Sequence, residues 1–482
     1  MKEKILEVLK YLKNQGVDYA DVRVVDRTTE KISTENLKVT SLINSRSKGI
    51  GVRVIFDGSL GFASTQNLEN IKDIAKKALE IAKSSRTLQK EKIRLSEKEV
   101  YVDHYEIPIE IDPFKVSKKE KIGLLIRAEE EMRRGTNLKK TQGSMDFQKE
   151  EKIFADTEGS YITQSLYESG AGIVAIASND SDMQIRSYPN SFRGNHGTAG
   201  YEYILEMDLV GNANNIGKEA EVLLEAEECP SGEFDVVIDS GQLTLQIHES
   251  IGHPVELDRI FGSEAAYAGM SFVTVDKLKE EFKYGSKHVT IVADATVKGA
   301  LGTFGYDDDG VKAQKTIIID KGILRDFLSS RDTAIKIGRN SNGTNRADGW
   351  YNMPIVRMTN INLMPGDFEF DELIKGIDYG LYLCTNKSWS IDDKRVNFQF
   401  ATEIAYEIKS GKLTGKVFKN PIYTGITPKF WGSCDGVCNE KYWKVYGTPN
   451  CGKGQPGQVA HVAHGSSPAR FRKVKVGVKD VE

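Results

Sequence analysis

The segment His248-Glu249-Ser250-Ile251-Gly252-His253-Pro254 restricts the local fold more than any other stretch of this chain. Imidazole nitrogens hold zinc, and a carboxylate between two of them is placed to move a proton. In the His-Glu-x-x-His arrangement a spacing of four brings both histidines to one face of a helix. Here the spacing is five. At about 100° per residue, the two side chains stand about 140° apart around a straight helix, too far to share one ion. A chain that uses both must carry a wide, π-type turn or end its helix early, so that the second histidine swings back. Gly252 and Pro254 permit either solution. The residue before a proline is biased away from the α region, which predicts His253 at or just past the helix end. The bland alternative is a helix end with a capped or core-facing histidine and a solvated glutamate.

A hydrolytic zinc site needs a third protein donor and an open position for water. The candidates are Glu256, His461, His464, Cys384, Cys434, Cys438 and Cys451, with Cys229 set apart at a domain boundary. Glu256 follows a proline that obscures its direction, and nothing in the sequence around His461 and His464 fixes them. Both thiolates of Cys434 and Cys438 together with two histidines would fill the coordination sphere and exclude water. Cys451 lies in Asn450-Cys451-Gly452-Lys453-Gly454, where glycines let the backbone come close and Lys453 favours a thiolate.

The run from His248 through His253-Pro254-Val255-Glu256-Leu257-Asp258, with Asn450-Cys451-Gly452-Lys453-Gly454-Gln455-Pro456 much later, resembles the TldD/PmbA family. Similar text recurs in Gly49-Ile50-Gly51-Val52-Arg53, Gly61-Phe62-Ala63-Ser64-Thr65, Asp307-Asp308-Asp309-Gly310-Val311, Arg357-Met358-Thr359-Asn360, Pro365-Gly366 and the glycine-rich tail, so the likeness spans most of the chain. The paired His-Glu-x-x-x-His makes it similar to the TldD-type catalytic members, not to the PmbA/TldE-type partner, which lacks those ligands. The resemblance implies a zinc metallopeptidase with His248, His253 and Cys451 as ligands and Glu249 as general base and acid. It further implies a closed two-chain assembly, either a homodimer or a heterodimer with a PmbA/TldE-type subunit, whose internal cavity admits peptides or unfolded polypeptide. The pair Cys434 and Cys438 departs from that pattern, either as a disulfide or as free thiols. The alternative is a non-catalytic peptide-binding or scaffold subunit with a structural, four-ligand metal site.

Balanced charge, 66 basic against 69 acidic residues for a net −3, gives no broad attraction to nucleic acid, so the family's older association with DNA gyrase finds no support in composition. The Arg470-Phe471-Arg472-Lys473-Val474-Lys475 patch reads as a solvated strand end. Five scattered cysteines argue against a secreted disulfide framework. The N-terminus reads as an amphipathic helix rather than a signal sequence, and no apolar run is long enough to span a bilayer, which together point to the cytoplasm.

A chain of 482 residues exceeds one hydrophobic core. Three units are expected: 1–90 and 91–228, each a helix with an antiparallel meander, and a β-rich 229–482 carrying the metal-binding helix. In the first, Ile5, Val8, Leu9 and Leu12 keep helical spacing, strand-like runs occupy 22–25, 37–43 and 51–56, Asp57-Gly58 marks a hairpin, and a helix fills 67–82. The second, after a charged stretch over 90–99, has a strand at 100–109, a helix at 118–134, strands at 153–155, 160–167 and 172–178, and a helix over 205–226. The third has strands at 289–293, 316–319, 355–363 and 398–408. The fold class is α+β.

Asp307-Asp308-Asp309-Gly310 lacks the spaced acids and closing glutamate of a calcium loop. Arg357 is a candidate grip for a peptide carboxylate, with a structural ion pair as the bland alternative. Ser250 lacks the Gly-x-Ser-x-Gly elbow of a nucleophile.

Overall fold

Alternation along one long strand organises the N-terminal half. In β1 (Tyr19–Glu35) the even residues Ala20, Val22, Val24 and Ile32 are buried among apolar side chains, whereas Asp21 and Arg23 on the opposite face are buried among charges. Successive strand residues face opposite sides, so one face packs on helices and the other meets the C-terminal half. The computed structural model describes residues 1–89, 91–191 and 193–477. Lys90, where the first expected unit ends and the charged stretch begins, and 478–482, the end of the third unit, lie outside the described residues.

β1 pairs antiparallel with β2 (Lys38–Phe56), which turns at Asp57 and Gly58, both at positive φ, into β3 (Ser59–Thr65). On its other edge β1 pairs with β5 (Lys140–Asp156), then β6 (Tyr161–Ser178), with β4 (Val102–Glu106) parallel outside β6. The first two expected units therefore share one sheet, ordered β3-β2-β1-β5-β6-β4. Helices α1 (Lys2–Asn14) and α2 (Ile71–Ser85) cover one end, and α3 (Lys118–Arg133) with the Leu209–Glu225 helix the other. The helix expected over 205–226 is split. Asp208, at φ 46°, stops the short Glu202–Glu206 helix and its carboxylate caps the next by accepting from Gly211 N at 3.0 Å.

The C-terminal half is built on a second sheet. Pairing runs from Tyr379–Ile391 through Gly232–Ile238, Ala469–Val476 and Ile422–Ile426 to Asn397–Lys409, which pairs back onto the first strand. Closure removes two exposed edges and encloses Val236, Ile238, Leu381, Leu383, Phe400, Tyr423 and Phe471. A four-stranded sheet and the hairpin of Lys444–Lys453 with Gln458–Ser466 flank it. The single strand expected over 355–363 is two short ones, Ile355–Val356 and Ile361–Leu363, in different sheets. Half of the basic patch is solvated as expected, with Lys473 and Lys475 exposed, and its two arginines are ion-paired: Arg470 meets Asp435 at 2.7 Å, and Arg472 meets Asp435 and Asp235, both at 2.6 Å.

The charged face of the N-terminal sheet docks on the loop at 307–309. Arg53 bridges Asp21 and Asp309, both at 2.6 Å, and Lys152 meets Asp308 at 3.1 Å. Gly49 is explained by the same contact, because a Cβ there would lie 2.3 Å from the Trp350 ring.

Candidate metal centre

The closed sheet positions the His-Glu segment. Strand Gly232–Ile238 ends at Asp239, whose carboxylate accepts from Gly241 N at 2.9 Å and Gln242 N at 3.0 Å and so starts the Ser240–Ile247 helix. Leu243, Ile247, Ile251 and Val255, all fully buried, hold one side of this helix and its continuation to the core. The helix does not end before His253. It widens into a π-helical turn over His248–Gly252, closed by the His253 N–H donating to the His248 carbonyl five residues back, and continues as a 3-10 turn over His253–Val255. His253, expected at or just past the helix end, caps the π-helical turn and opens the final 3-10 turn, so it lies at the end of the wide turn and not past the helix. At φ −63° and ψ −42° this residue stays helical despite the following proline, which sits in the first turn of the 3-10 segment, where a missing N–H costs nothing. A bond spanning five residues stacks side chains five apart, which is what the sequence spacing demands. Gly252 allows Met358 to press on the turn, since a Cβ would meet its sulfur at 2.1 Å.

The two rings stand edge to face with centroids 4.9 Å apart. Across from them the hairpin brings Cys451, and donor atoms of His248, His253 and Cys451 all lie within 4.8 Å of one another, every one buried. Cys451 Sγ is 3.8 Å from His253 Nε2. A register shift between Thr448 and Cys451 breaks the ladder just before the cysteine.

The far sides of both rings are tied off. Nδ1 of His464 donates to the Ile361 carbonyl at 3.1 Å, which leaves its Nε2 to accept from His248 Nδ1 at 2.8 Å. Burial, then the neighbouring His248, hold His464 well below the usual imidazole range, so it stays neutral and able to accept. Glu256 Oε2 accepts a hydrogen bond from His253 Nδ1 at 2.9 Å, and Lys453 stands 3.4 Å from that oxygen. Each arrangement fixes a tautomer whose remaining nitrogen turns toward the thiol.

Burial alone would push the Cys451 thiol up, but His248, Arg357 and His253, in that order, carry it well below the usual thiol range. Lys453 is not the source: its ammonium meets Asp258 at 2.6 Å and the Val356 carbonyl at 2.6 Å. Opposite outcomes befall the histidines. Against burial, Cys451 raises His248, whereas burial outweighs the same attraction at His253 and holds it well below the usual range. Two imidazoles and a thiolate-prone cysteine form the soft, three-donor set that suits zinc, and the structure fits such an ion.

The cluster opens on a cavity of about 190 Å³ also lined by Glu249, Thr244, Leu245, Asn386, Trp389 and Arg395. Glu249 pairs with Arg395 across 146 residues of sequence. Arg357 lies behind Cys451 and not on the cavity wall, fully buried, donating to the Cys451 and Gln458 carbonyls and bracing both hairpin strands. His461 meets Glu168 outside the cluster, and all five cysteines are free thiols. The sequence reading missed Arg395 altogether, and nothing local in Asp392-Asp393-Lys394-Arg395 signals its reach. It weighed Glu256 and His464 as metal ligands, whereas they stand behind the His253 and His248 rings.

Comparison with known proteins agrees along the whole chain. Models of PmbA/TldA metallopeptidase domain 1, central domain and C-terminal domain match residues 20–82, 111–224 and 231–477. A metalloprotease of Methanocaldococcus jannaschii is 31% identical over 97% of each chain, and a protein named zinc metalloprotease TldD homolog of Saccharolobus solfataricus is 23% identical over 98% of this chain and 99% of its own. In fold the chain is similar to a proposed DNA gyrase modulator of Thermotoga maritima (TM-score 0.78, 19% identity, 99% of this chain and 100% of that one). It is also similar to TldE of Thermococcus kodakarensis (TM-score 0.69, 15% identity, 98% and 99%).

Proposed function

Because this chain belongs to the PmbA/TldA metallopeptidase family, we propose that it is a zinc-dependent hydrolase of peptides or unfolded polypeptide, with His248, His253 and Cys451 as ligands and Glu249 as proton carrier. The observation that carries this reading is the convergence of three buried donors within 4.8 Å at the wall of a cavity that Glu249 also lines. A bound zinc ion would supply Lewis acidity toward a water and a carbonyl. Glu249 takes the proton of the attacking water and returns it to the leaving amine nitrogen. His464 and Glu256 hold the ligand rings in the tautomers and orientations the site needs. A structural metal site would need a fourth protein donor, and the nearest imidazole, His464, has both nitrogens engaged.

Extended substrate lies along the cavity-facing residues 448–452 of the hairpin and binds through its backbone, which leaves sequence preference loose. The site works inside a closed two-chain assembly, a homodimer or a heterodimer with a PmbA/TldE-type subunit. In support, Leu37, Val39, Leu42 and Ile43 at the outer end of the β1–β2 hairpin are exposed apolar residues of the kind an interface covers. Five free thiols suit a reducing compartment such as the cytoplasm, and among the described residues no helix is long and apolar enough to cross a membrane.

Glu249→Gln tests the reading. The amide keeps shape and cannot accept the proton, so zinc stoichiometry stays at the wild-type level while hydrolysis of a disordered peptide falls by about 10²–10⁴-fold. Undiminished cleavage by this variant, or full activity of wild type after chelation, overturns it.

A further inference from the structure

We propose that Arg395 is a second catalytic residue, one that exchanges its partner during the reaction, from the Glu249 carboxylate at rest to the oxyanion of the tetrahedral intermediate. The inference rests on the metallopeptidase reading and extends it to a residue on a distant hairpin turn.

Arg395 is the one lysine or arginine among the described residues that line the cavity of Glu249, His248, His253 and Cys451. Its side chain is 14% exposed, its Nη1 meets Glu249, and its Nε is buried without a hydrogen-bond partner. A guanidinium carries five N–H donors in a fixed fork, so a cation in this position has donors to spare.

The backbone that presents it is strained and pinned. Arg395 sits at φ 64°, in the left-handed region that costs a non-glycine residue of order 1 kcal/mol or more. The Asp392 carboxylate accepts from Val396 N at 2.8 Å and Asn397 N at 3.0 Å, and the Arg395 carbonyl accepts from Thr427 Oγ1 at 2.8 Å. Next to it the Lys394 carbonyl accepts from Phe272 N at 2.9 Å. This turn is held from two sides in a conformation that local sequence disfavours, and the result is a guanidinium aimed at the His-Glu segment.

The charge accounting explains why such a cation is useful. As water attacks, one of its O–H bonds breaks, its oxygen forms the C–O bond, and the proton goes to Glu249. At the same moment the carbonyl π pair moves onto the carbonyl oxygen. Glu249 becomes neutral as the oxyanion appears, so the charge facing Arg395 is transferred rather than lost. On collapse the pair returns, the C–N bond breaks, and the amine nitrogen takes the proton from Glu249, which regains its charge and its ion pair. The contact with the oxyanion exists only from the transition state onward and replaces the ion pair that Glu249 gives up, so it lowers the barrier without tightening ground-state binding of the substrate.

The experiment uses Arg395→Asn, because asparagine tolerates the left-handed conformation better than other truncations. For the zinc-loaded protein kcat falls by about 10²–10³-fold, with KM and zinc content nearly unchanged. Calorimetry gives a readout independent of turnover. A phosphinic peptide, whose anionic tetrahedral centre mimics the intermediate, loses affinity by a similar factor, whereas the matching substrate peptide, measured in a Glu249→Gln background, loses less than about threefold. Arg395→Lys keeps the charge without the fork and falls between the two on both measures, which also serves if the asparagine variant folds poorly. Equal losses for the phosphinic and substrate peptides, or turnover by Arg395→Asn within about threefold of wild type, overturn the assignment. Those outcomes leave the metallopeptidase reading standing, which fails instead if Glu249→Gln remains active.

Discussion

Two buried polar clusters, one in the 307–309 loop and one around His248, are assembled from distant parts of the chain, and their donors are disposed in opposite ways. In the loop, Asp307 accepts from Asp309 N and Val311 N at 2.9 Å and from Asn345 N at 3.0 Å. Asp309 takes Arg53 and the Arg331 amide, and Asp308 takes Lys152 and the Ala347 amide. The carboxylates diverge, each toward its own protein partners. Around His248 the pattern reverses. There the protein engages the outward nitrogens through His464 and Glu256, and the remaining donors converge on one point. Acid-rich or histidine-rich sequence is thus a poor guide by itself. What separates a closed structural cluster from one that could hold an ion is whether the protein's own hydrogen bonds use up the donors or aim them.

The largest effect that would break this contrast comes from the cysteines. Cys451→Ser removes the one donor whose proton the site already draws away, and we expect zinc stoichiometry and peptide hydrolysis both to fall to background. Cys434→Ser and Cys438→Ser leave both at wild-type level, since burial pushes each of these thiols up to about 12, and both stay protonated. Metal analysis by emission spectroscopy and a fluorogenic peptide assay decide between them. Loss of zinc in either of the latter variants would mean the wrong thiol has been assigned.

A smaller effect is expected at the loop, and it should appear in stability alone. Asp309→Asn removes one of the two carboxylates that Arg53 bridges while Asp21 stays paired with it at 2.6 Å, so the loss is expected to fall below the about 3–5 kcal/mol that a buried charge left wholly unpaired costs. Denaturant titration should show that loss with zinc stoichiometry unchanged. A variant that sheds zinc while keeping its stability would instead give the loop a part in the metal site.

Much of this was legible in the sequence. The Asp57-Gly58 turn and the helices at 71–85 and 118–133 are local, set by periodicity and turn residues, and they fall close to where they were expected, whereas the short runs expected at 22–25, 37–43 and 51–56 are pieces of two long strands, β1 and β2, whose length is set by pairing across the sheet. The spacing of five in the motif demanded a wide turn or an early end, and packing selected the wide turn, because Ile251 and Val255 reach the same core as Leu243 and Ile247 only if the helix continues. What was illegible is long-range. His464 reaches His248 across 216 residues and Arg395 reaches Glu249 across 146, and no local pattern encodes either pairing. Lys453 misled for the same reason: beside Cys451 in sequence, it is committed in space to Asp258 and Glu256, while Arg357, far off in sequence, acts on the thiol.

The smallest expected effect on catalysis concerns Ser250, which lies inside the motif next to Glu249. In the π-helical turn it faces away from the cavity: its hydroxyl donates to the Gln246 carbonyl and accepts from Trp431 Nε1 at 2.9 Å and Gln246 Nε2 at 3.0 Å. Trp431 is itself fully buried, so this hydroxyl anchors the turn to the core just as the apolar residues on either side do. Ser250→Ala removes that acceptor and leaves the indole N–H and an amide donor unsatisfied in the interior, which costs about 1–3 kcal/mol for each group stranded. The His248 and His253 rings are held from other directions, by His464 and Glu256, so zinc content and kcat/KM should stay within about threefold of wild type at a temperature where the variant is folded. Steady-state kinetics beside a melting curve separate the two consequences. A Ser250→Ala protein of normal stability that no longer cleaves peptide would show that the serine takes part in the chemistry, and that the contrast between the cavity side and the core side of this turn is drawn in the wrong place.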